Sequence, residues 1–406
     1  MSDWRFTAYD LRSGEKLTDL QVESWQSSDV LSEAGSWSAT VNVDGAAAST
    51  STVQSARPLL DDSGDVLLDE NSHILVTDPE EYTFATSRRT SVADSTRKGR
   101  SLIVAERDGV PVFAGIVWRR RYNAEDRLLE IAGSGLLSYF DHWVPGLSVT
   151  YTAQDQFAIV RALVARVQAA AGGDIGLDVT ASNSGVNRDR TYPRYDGSTF
   201  GELIMNLSRV SNGFDLAGRV EYNAGAVERW VRLWYPRRGR DISATNLQFR
   251  APGNAVLFDM AEDATDMAVT VNALGAGDGP DMLIAPASQT DLIDAGWPGY
   301  TTTRAYKDVT DYTTLDAHAR ADVDRLSGID SEEYRVRVDP TDVSRPWGSW
   351  DLGDDAVLIV EDDPMYPAND DGTPGLVTLR RVVTHDWSVT DSSEELFVTL
   401  ARKVIP

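Results

Sequence analysis

Two acidic runs are the residues of this chain most suited to holding a hard cation. One gathers Asp61, Asp62, Asp65, Asp69 and Glu70, and the other places Asp362, Asp363, Asp370 and Asp371 beside Gly372. Neither has the Asp-x-Asp-x-Asp-Gly loop followed by a bidentate Glu that calcium loops use, so both read as solvated acidic loops and no metal ligand is assigned. His318 lies near Asp316 and Asp322 on an expected helix, and His385 precedes Asp386, which are the residue types of a proton relay. A relay needs a nucleophile to serve. The chain has no Cys and no Ser-centred nucleophile motif, so these neighbours read as surface pairs. Gly275, Gly277 and Gly279 give Gly-x-Gly-x-Gly after a strand, but no helix follows as a dinucleotide site requires, and the stretch reads as a loop. A glycosidase needs two carboxylates across a cleft, and an acidic, Trp-rich chain supplies carboxylates by composition without singling out a pair. No catalytic residue and no cofactor is assigned, and the expectation is a protein that is not an enzyme.

Aromatic and basic residues offer a different chemistry, that of contact. Trp230, Arg232 and Trp234 alternate along one strand face, with Val231, Leu233 and Tyr235 on the other. Two readings fit: an exposed interaction surface, or Trp packed under helices with Arg snorkelling to water, the commoner arrangement. Arg119, Arg120 and Arg121 form one basic run and Arg380 and Arg381 another. These eight residues are the interface candidates. The Arg runs fit contacts with acidic neighbours in an assembly, and equally fit plain exposed strand ends.

The elements that must carry these residues are mostly strands. Trp4, Phe6 and Ala8 alternate, as do Leu20 and Val22 and then Trp37, Ala39, Val41 and Val43, the period-two pattern of half-buried strands. Residues 46–96 read as a long excursion from the first β-domain. Helices cluster in the middle: one running to Ala171 behind Thr152 and Asp155, a second behind a Thr199/Glu202 capping box and ending at Asn212-Gly213, and a third from about Leu315 to Leu326 announced by Thr313 and Asp316. Between the last two, strands at 214–222 and 227–235 flank a turn at Asn223 to Ala226, a hairpin signal.

Length and charge bound the class. A chain of 406 residues accommodates two to four domains, each with its own core. Without Cys there is no disulfide framework or Cys-based zinc site, and 4 His and 6 Met argue against a metal or haem role. No early apolar run has signal-peptide length and none reaches the roughly 20 residues that span a bilayer, so a soluble chain made in a reducing cytoplasm is expected. The formal charge of −25 disfavours specific binding to nucleic acid, whose phosphates require Lys and Arg.

An internal duplication is legible beneath these elements. Ser101 to Gly135 carries a strand, an Asp108-Gly109 turn, a long strand through Val110 to Trp118 and the Arg119–Arg121 run, a polar break at Asn123 to Asp126, and a third strand from Leu128. From Gly353 the pattern returns: Val357 to Val360, an acidic loop, Leu376 to Leu379 with Arg380-Arg381 and Val382-Val383, a break at Thr390 to Glu395, and Leu396 to Leu400.

A resemblance covers nearly the whole chain in order. Phe6-Thr7-Ala8-Tyr9-Asp10, then Asp29-Val30-Leu31 leading into Gly35-Ser36-Trp37-Ser38-Ala39-Thr40-Val41, is similar to the start of minor tail proteins of actinobacteriophages. Val112-Phe113-Ala114-Gly115-Ile116-Val117 followed by Leu129 to Phe140, with its Gly133-Ser134-Gly135 step, resembles a region of their baseplate-hub or tail-tip hub proteins. The helix from Asp155 to Ala171, the start Asp196-Gly197-Ser198-Thr199-Phe200 and the strand entry Trp350-Asp351-Leu352-Gly353-Asp354 continue it. The resemblance brings no catalytic motif.

What it implies is a structural virion protein of a siphophage, a long-tailed phage: a homotrimer whose two related β-barrel-like domains per chain make a six-unit ring with an α/β insertion. The expected fold is mainly β, α+β in class. Residues 1–148 form the first hub domain, 149–250 the insertion with two helices and a hairpin, and 251–406 the second hub domain with one helix at about 315–327. Strands from Val269 to Leu274 are a candidate for completing the first domain. The implied role is to cap the tail tube at the tail tip, adapt its sixfold symmetry to a threefold tip and form the channel for genome ejection. The partners would be the ring proteins of the distal tail, the end of the tape-measure protein, other tip or fibre proteins and, in passing, DNA, without a membrane span. Two other readings stay open: a carbohydrate-binding receptor module stacking sugars on Trp230, Trp234, Trp297, Trp347 or Trp350, and a cell-wall glycoside hydrolase.

Overall fold

The computed structural model describes residues 2–43, 91–210, 212–223, 226–328, 332–342 and 345–402, and the backbone of 50–55 and 80–85. Its main feature is a sheet of 13 strands to which both ends of the chain contribute. In chain order these are β1 (Trp4–Asp10), β2 (Lys16–Leu20), β3 (Val22–Val30), β4 (Ser36–Asn42), β5 (Ser101–Arg107), β6 (Val110–Asn123), β7 (Leu128–Gly135), β8 (Gln248–Ala251), β9 (Ala255–Ala261), β10 (Glu333–Val338), β11 (Asp355–Val360), β12 (Leu376–Thr390) and β13 (Glu394–Ala401).

Each half is laid out in the same way. The first runs β3-β4-β7-β6-β5-β1 with β2 added outside, and the second runs β9-β10-β13-β12-β11-β8. Strands matched by place in the sheet are also matched by order in the chain, so the duplication expected from the sequence is present in the topology. In both halves a three-strand meander has an overlong middle strand with a bulge: β6 shifts register against β7 between Val117 and Arg119, and β12 against β13 between Val382 and Thr384. One difference is the outer pairing, which is antiparallel between β1 and β5 and parallel between β8 and β11.

The halves join edge to edge rather than standing as separate barrels. Beyond its bulge, β12 pairs antiparallel with β3, Thr384 to Thr390 against Val30 to Ser24. No closed barrel forms among the described residues, and the class is mainly β with a few helices, as expected. A continuous apolar core follows the junction: Trp25 stacks on Trp37 at 5.0 Å and Phe6 lies 5.1 Å from Trp25, while Trp4 of the first half meets Trp387 of the second edge-on at 5.1 Å. Such aromatic pairs add roughly 0.5–1.5 kcal/mol each beyond their buried area.

The glycines of the Val112 to Leu137 region have a packing reason. Trp37 lies across Gly115 and Gly133, and a Cβ at Gly115 would run into its indole while one at Gly133 would run into the Ile116 carbonyl. Asp108 and Gly109 both take positive φ, 53° and 80°, the mirror-image turn whose twist suits a tight hairpin between β5 and β6. β5 is buried on both faces, which explains its unbroken apolar run. Ile103 and Ala105 face the core just described, while Leu102 and Val104 face a second one.

That second core holds the middle of the chain against the first half. Helix α1 (Gln156–Ala169) and helix α2 (Phe200–Ser208) pack there with a 3-10 turn at Leu136–His142 and a hairpin of Asp215–Asn223 and Ala226–Trp234. The Thr199/Glu202 capping box is formed, Thr199 Oγ1 accepting from the Glu202 amide at 3.2 Å. For α1 the cap is Asp155 alone, accepting from Phe157 and Ala158, because Thr152 lies in the strand Val149–Asp155. Helix α3 (Tyr312–Leu326) begins three residues before the expected start, since Asp311, not Thr313, caps it by accepting from the Thr314 amide.

Thr270–Leu274 does not complete the first half. It is the centre of a separate three-stranded sheet, with Ile284–Ser288 and Thr301–Ala305 on its flanks and α3 packed upon it. Most of the expected excursion at 46–96, including the acidic run Asp61 to Glu70, lies outside the described residues. Of its described part, Thr50–Ser55 pairs antiparallel with Glu80–Ala85. No helix of the described residues is long and apolar enough to cross a membrane.

Candidate assembly surface

The eight interface candidates fall in three places. Arg119, Arg120 and Arg121 lie on β6 just past its bulge, Arg119 and Arg121 exposed to solvent, with Arg121 3.6 Å from Glu130 across the ladder. Among the described residues β5 accompanies β6 only as far as Ile116, so this basic stretch sits on an open sheet edge. Such an edge presents unpaired backbone groups to another strand.

Trp230, Arg232 and Trp234 share one half-buried face of the strand Ala226–Trp234, while Val231 and Leu233 on the other face enter the second core. The Arg232 guanidinium lies 3.8 Å over the Trp230 ring and bonds Glu221, and Arg238 covers Trp234 at 5.0 Å. Trp packed under the helices is therefore not what the hairpin shows: its aliphatic face enters the core, and its aromatic-basic face is half-buried with an Arg stacked on each Trp.

Arg380 and Arg381 are not at an exposed strand end. Both are buried, and their acidic neighbours belong to the same chain. Arg380 reaches Glu332 at 3.1 Å and lies over the Tyr334 ring at 5.4 Å. Arg381 donates to the Asp215 carboxylate and, through Nε and Nη2, to the carbonyls of Gly353 and Arg238 at 3.1 and 2.7 Å. The two Arg steps are not equivalent either: Arg381 precedes the bulge of β12, whereas Arg119 follows that of β6.

Asp215 is a site that sequence reading missed. Its carboxylate accepts from Ser32 Oγ at 2.9 Å, from the Arg238 amide at 2.7 Å and from Arg381, tying first half, hairpin and second half together. Beside it Arg219 bridges Asp29 at 3.2 Å and Asp351 at 3.4 Å, and burial raises the Asp29 pKa against the pull of Arg219. Nothing in the local sequence around Asp215 marks it, because its partners lie 183 and 166 residues away.

The residues that suggested chemistry are engaged in structure. His318 is buried, stacked on Tyr306 at 4.0 Å with Arg190 3.2 Å from its Nε2, and burial with the Arg190 charge pushes its pKa far down. His385 is buried among Trp347 and Trp350, so neither His forms a surface pair. In the loop after β11, Asp362, Asp363 and Asp371 accept from the loop's own amides at Ala368, Met365 and Thr373. No group of three metal-ligating side chains occurs among the described residues. Gly275 to Gly279 is a loop entering a single 3-10 turn. Of the other Trp residues considered for sugar stacking, Trp350 is buried, Trp347 packs edge-on against Trp350 and Trp387, and Trp297 is exposed.

A groove of about 860 Å³ crosses the large sheet from Phe258 on β9 to Trp118 and Arg119 on β6. It is lined by Ser27, Ser36, Ser38, Ser134 and Ser388 with Arg335, Asp386 and Glu395 between them. Trp37, Trp118, Trp387, Phe258 and Phe397 line it too, so a mixed polar and aromatic floor spans both halves.

No family model and no curated protein matches this chain. Several solved structures match it along nearly its whole length, among them two tail proteins. The tail protein from Neisseria meningitidis MC58 is similar over 99% of this chain and 97% of its own, with 12% identity and a TM-score of 0.57. The 43 kDa tail protein of prophage MuSo2 from Shewanella oneidensis is similar over 98% and 97%, with 10% identity and a TM-score of 0.54. The duplicated sheet, the middle segment packed on its first half, and the separate sheet with α3 thus compose a fold shared, end to end, with two tail proteins.

Proposed function

We propose that the chain is a structural protein of a phage virion, a hub at the tail tip of a long-tailed phage. The observation that carries this reading is the pair of like-ordered half-sheets joined edge to edge, in a fold shared with two tail proteins. A chain with two quasi-equivalent halves presents six units in a trimer, which lets a sixfold tube seat on one side and a threefold tip on the other. In this role the trimer caps the tube, contacts the ring proteins of the distal tail and the end of the tape-measure protein, and lets DNA pass on infection. Three chains of −25 each repel DNA phosphates, so the passing genome does not adhere.

A structural role accords with where the reactive side chains are. Among the described residues, His318 and His385 are buried and Asp362, Asp363 and Asp371 bond amides of their own loop, and four of the five Trp residues that suggested sugar binding support the core or carry a stacked Arg. The test is the mass and symmetry of the full-length chain. Light scattering is expected to give three times 44.5 kDa, and negative-stain images a threefold ring. A chain that stays monomeric at every soluble concentration refutes the hub reading. Glycan-array binding by that monomer supports the receptor module instead, and turnover of purified peptidoglycan supports the hydrolase.

A further inference from the structure

The internal junction is a template for a second one. Where β12 passes its bulge it takes β3 on its open edge, with His385 opposite Asp29 and Trp387 opposite Ser27. The counterpart of β12 is β6, whose segment Arg119–Asn123 has no strand on that edge among the described residues. The counterpart of β3 is β9, the outermost strand at the far end of the sheet, paired through β10. Among the described residues one chain therefore carries both members of a copy of its own junction without pairing them, at places seven steps apart in the sheet order.

We propose that β6 of one copy pairs antiparallel with β9 of the next, in the register of the internal β12–β3 junction. This rests on the ring reading above and names the strands that make the contact. The register follows from the matched ladders. Val117 and Val382 precede the two bulges, which places Arg119 where Thr384 stands and Tyr122 where Trp387 stands. On the other strand, Ala39 and Val336 match through β7 and β13, which places Leu257 where Trp25 stands, Met260 at Ser27 and Glu262 at Asp29. Transferred to two copies, Tyr122 faces Met260, Arg120 faces Glu262 and Arg119 faces Asp263.

The charges agree with the register that the ladders set. Two consecutive Arg of the basic run meet two consecutive acids, where a slip of several residues sets them against the apolar Leu257 and Val256. Glu262 and Asp263 are exposed, as is Arg119, and Tyr122 stands 55% exposed at the same edge. A basic open edge is also a known guard against pairing, but a guard needs no matching acidic partner at the other end of the sheet. Because the contact is head-to-tail, each added copy leaves one edge of each kind until a ring closes.

The chain has no Cys, so a cross-link reports this contact alone. Full-length protein carrying Tyr122→Cys with Met260→Cys is expected to give oxidised dimers and trimers on a non-reducing gel. Either single variant, and Tyr122→Cys with Val256→Cys, is expected to stay unlinked. A trimer by light scattering that lacks the Tyr122–Met260 link overturns the strand pairing and leaves the hub reading standing; a monomer without the link overturns both. A second test does not depend on disulfide geometry. Arg119→Glu with Arg120→Glu is expected to weaken association about tenfold or more while circular dichroism stays native, and adding Glu262→Arg with Asp263→Arg to restore it. Association unchanged by the first pair, or not recovered by the second, overturns the proposal.

Discussion

Arg381 on β12 and Asp215 at the start of the insertion hairpin form a buried ion pair across 166 residues of sequence. The same carboxylate holds Ser32 and the Arg238 amide, so one acidic side chain ties residues of both half-sheets to the insertion hairpin. Removing either partner leaves a buried charge without its ion-pair partner.

Asp215→Ala and Arg381→Ala are each expected to lower stability by about 3–5 kcal/mol, measured by urea unfolding of the full chain. The double variant is expected to lose less than the two single losses combined, because the second deletion removes the stranded charge left by the first. Additive losses in that cycle contradict direct coupling between the two residues.

Gly133 and Gly115 are expected to be intolerant of Ala for a steric reason that their φ values alone do not reveal. Either Cβ displaces Trp37 or the β6 backbone beneath it, in a core where Trp37 is stacked on Trp25. Gly133→Ala is expected to cost about 3 kcal/mol or more, the range of overpacked cores. Gly109→Ala, where nothing lies within 4 Å of the added carbon but φ is positive, is expected to cost about 1 kcal/mol. Thermal unfolding of the three chains checks the order.

Much of this was legible in the sequence, and what was not has identifiable causes. Period-two runs gave the strands, and the Thr199/Glu202 box gave the start of α2, because both are local signals. The duplication was visible as repeated strands around a polar break, but its Arg-Arg landmark misled: the bulges that set equivalence leave no residue signature, and Arg381 turns inward where Arg119 turns out. The separate sheet around Thr270–Leu274 was hidden because a short strand carries no mark of which sheet it joins. Asp215 and the Asp29–Arg219–Asp351 bridge were hidden for the same reason, since their meaning is wholly tertiary.

Acid is expected to destabilise the fold through its buried imidazoles. Burial pushes His385 down from 6.5 to about 4, the nearby Asp351 opposing and Arg219 assisting. Above pH 6.5 the ring is neutral in both states and contributes no pH dependence. Between about pH 6.5 and 4 the unfolded chain takes up a proton that the folded chain refuses, so stability falls with pH, by roughly 3 kcal/mol over the whole span. His385→Gln, which does not titrate, is expected to flatten the unfolding free energy across that window in part, His318 supplying the remainder of the slope. An unchanged slope in that variant means that the ring is protonated in the folded protein.

Arg232 provides the contrast that separates a packing role from a contact role. Its guanidinium stacks on Trp230 and bonds Glu221, but the pair is 30% and 46% exposed, where solvent screening limits such contacts to about 1 kcal/mol or less. Arg232→Ala is therefore expected to leave the urea midpoint of the chain almost unchanged, against the large loss at Arg381. Trp230→Ala is expected to cost more, since its ring is partly withdrawn from water. If this face docks a neighbour in the proposed tail assembly, both substitutions weaken capture of the full chain by that neighbour to a degree their small stability losses do not account for. Equal capture by wild type and Arg232→Ala leaves the face as the outer skin of the hairpin, and places the assembly contacts on the open edges of the large sheet.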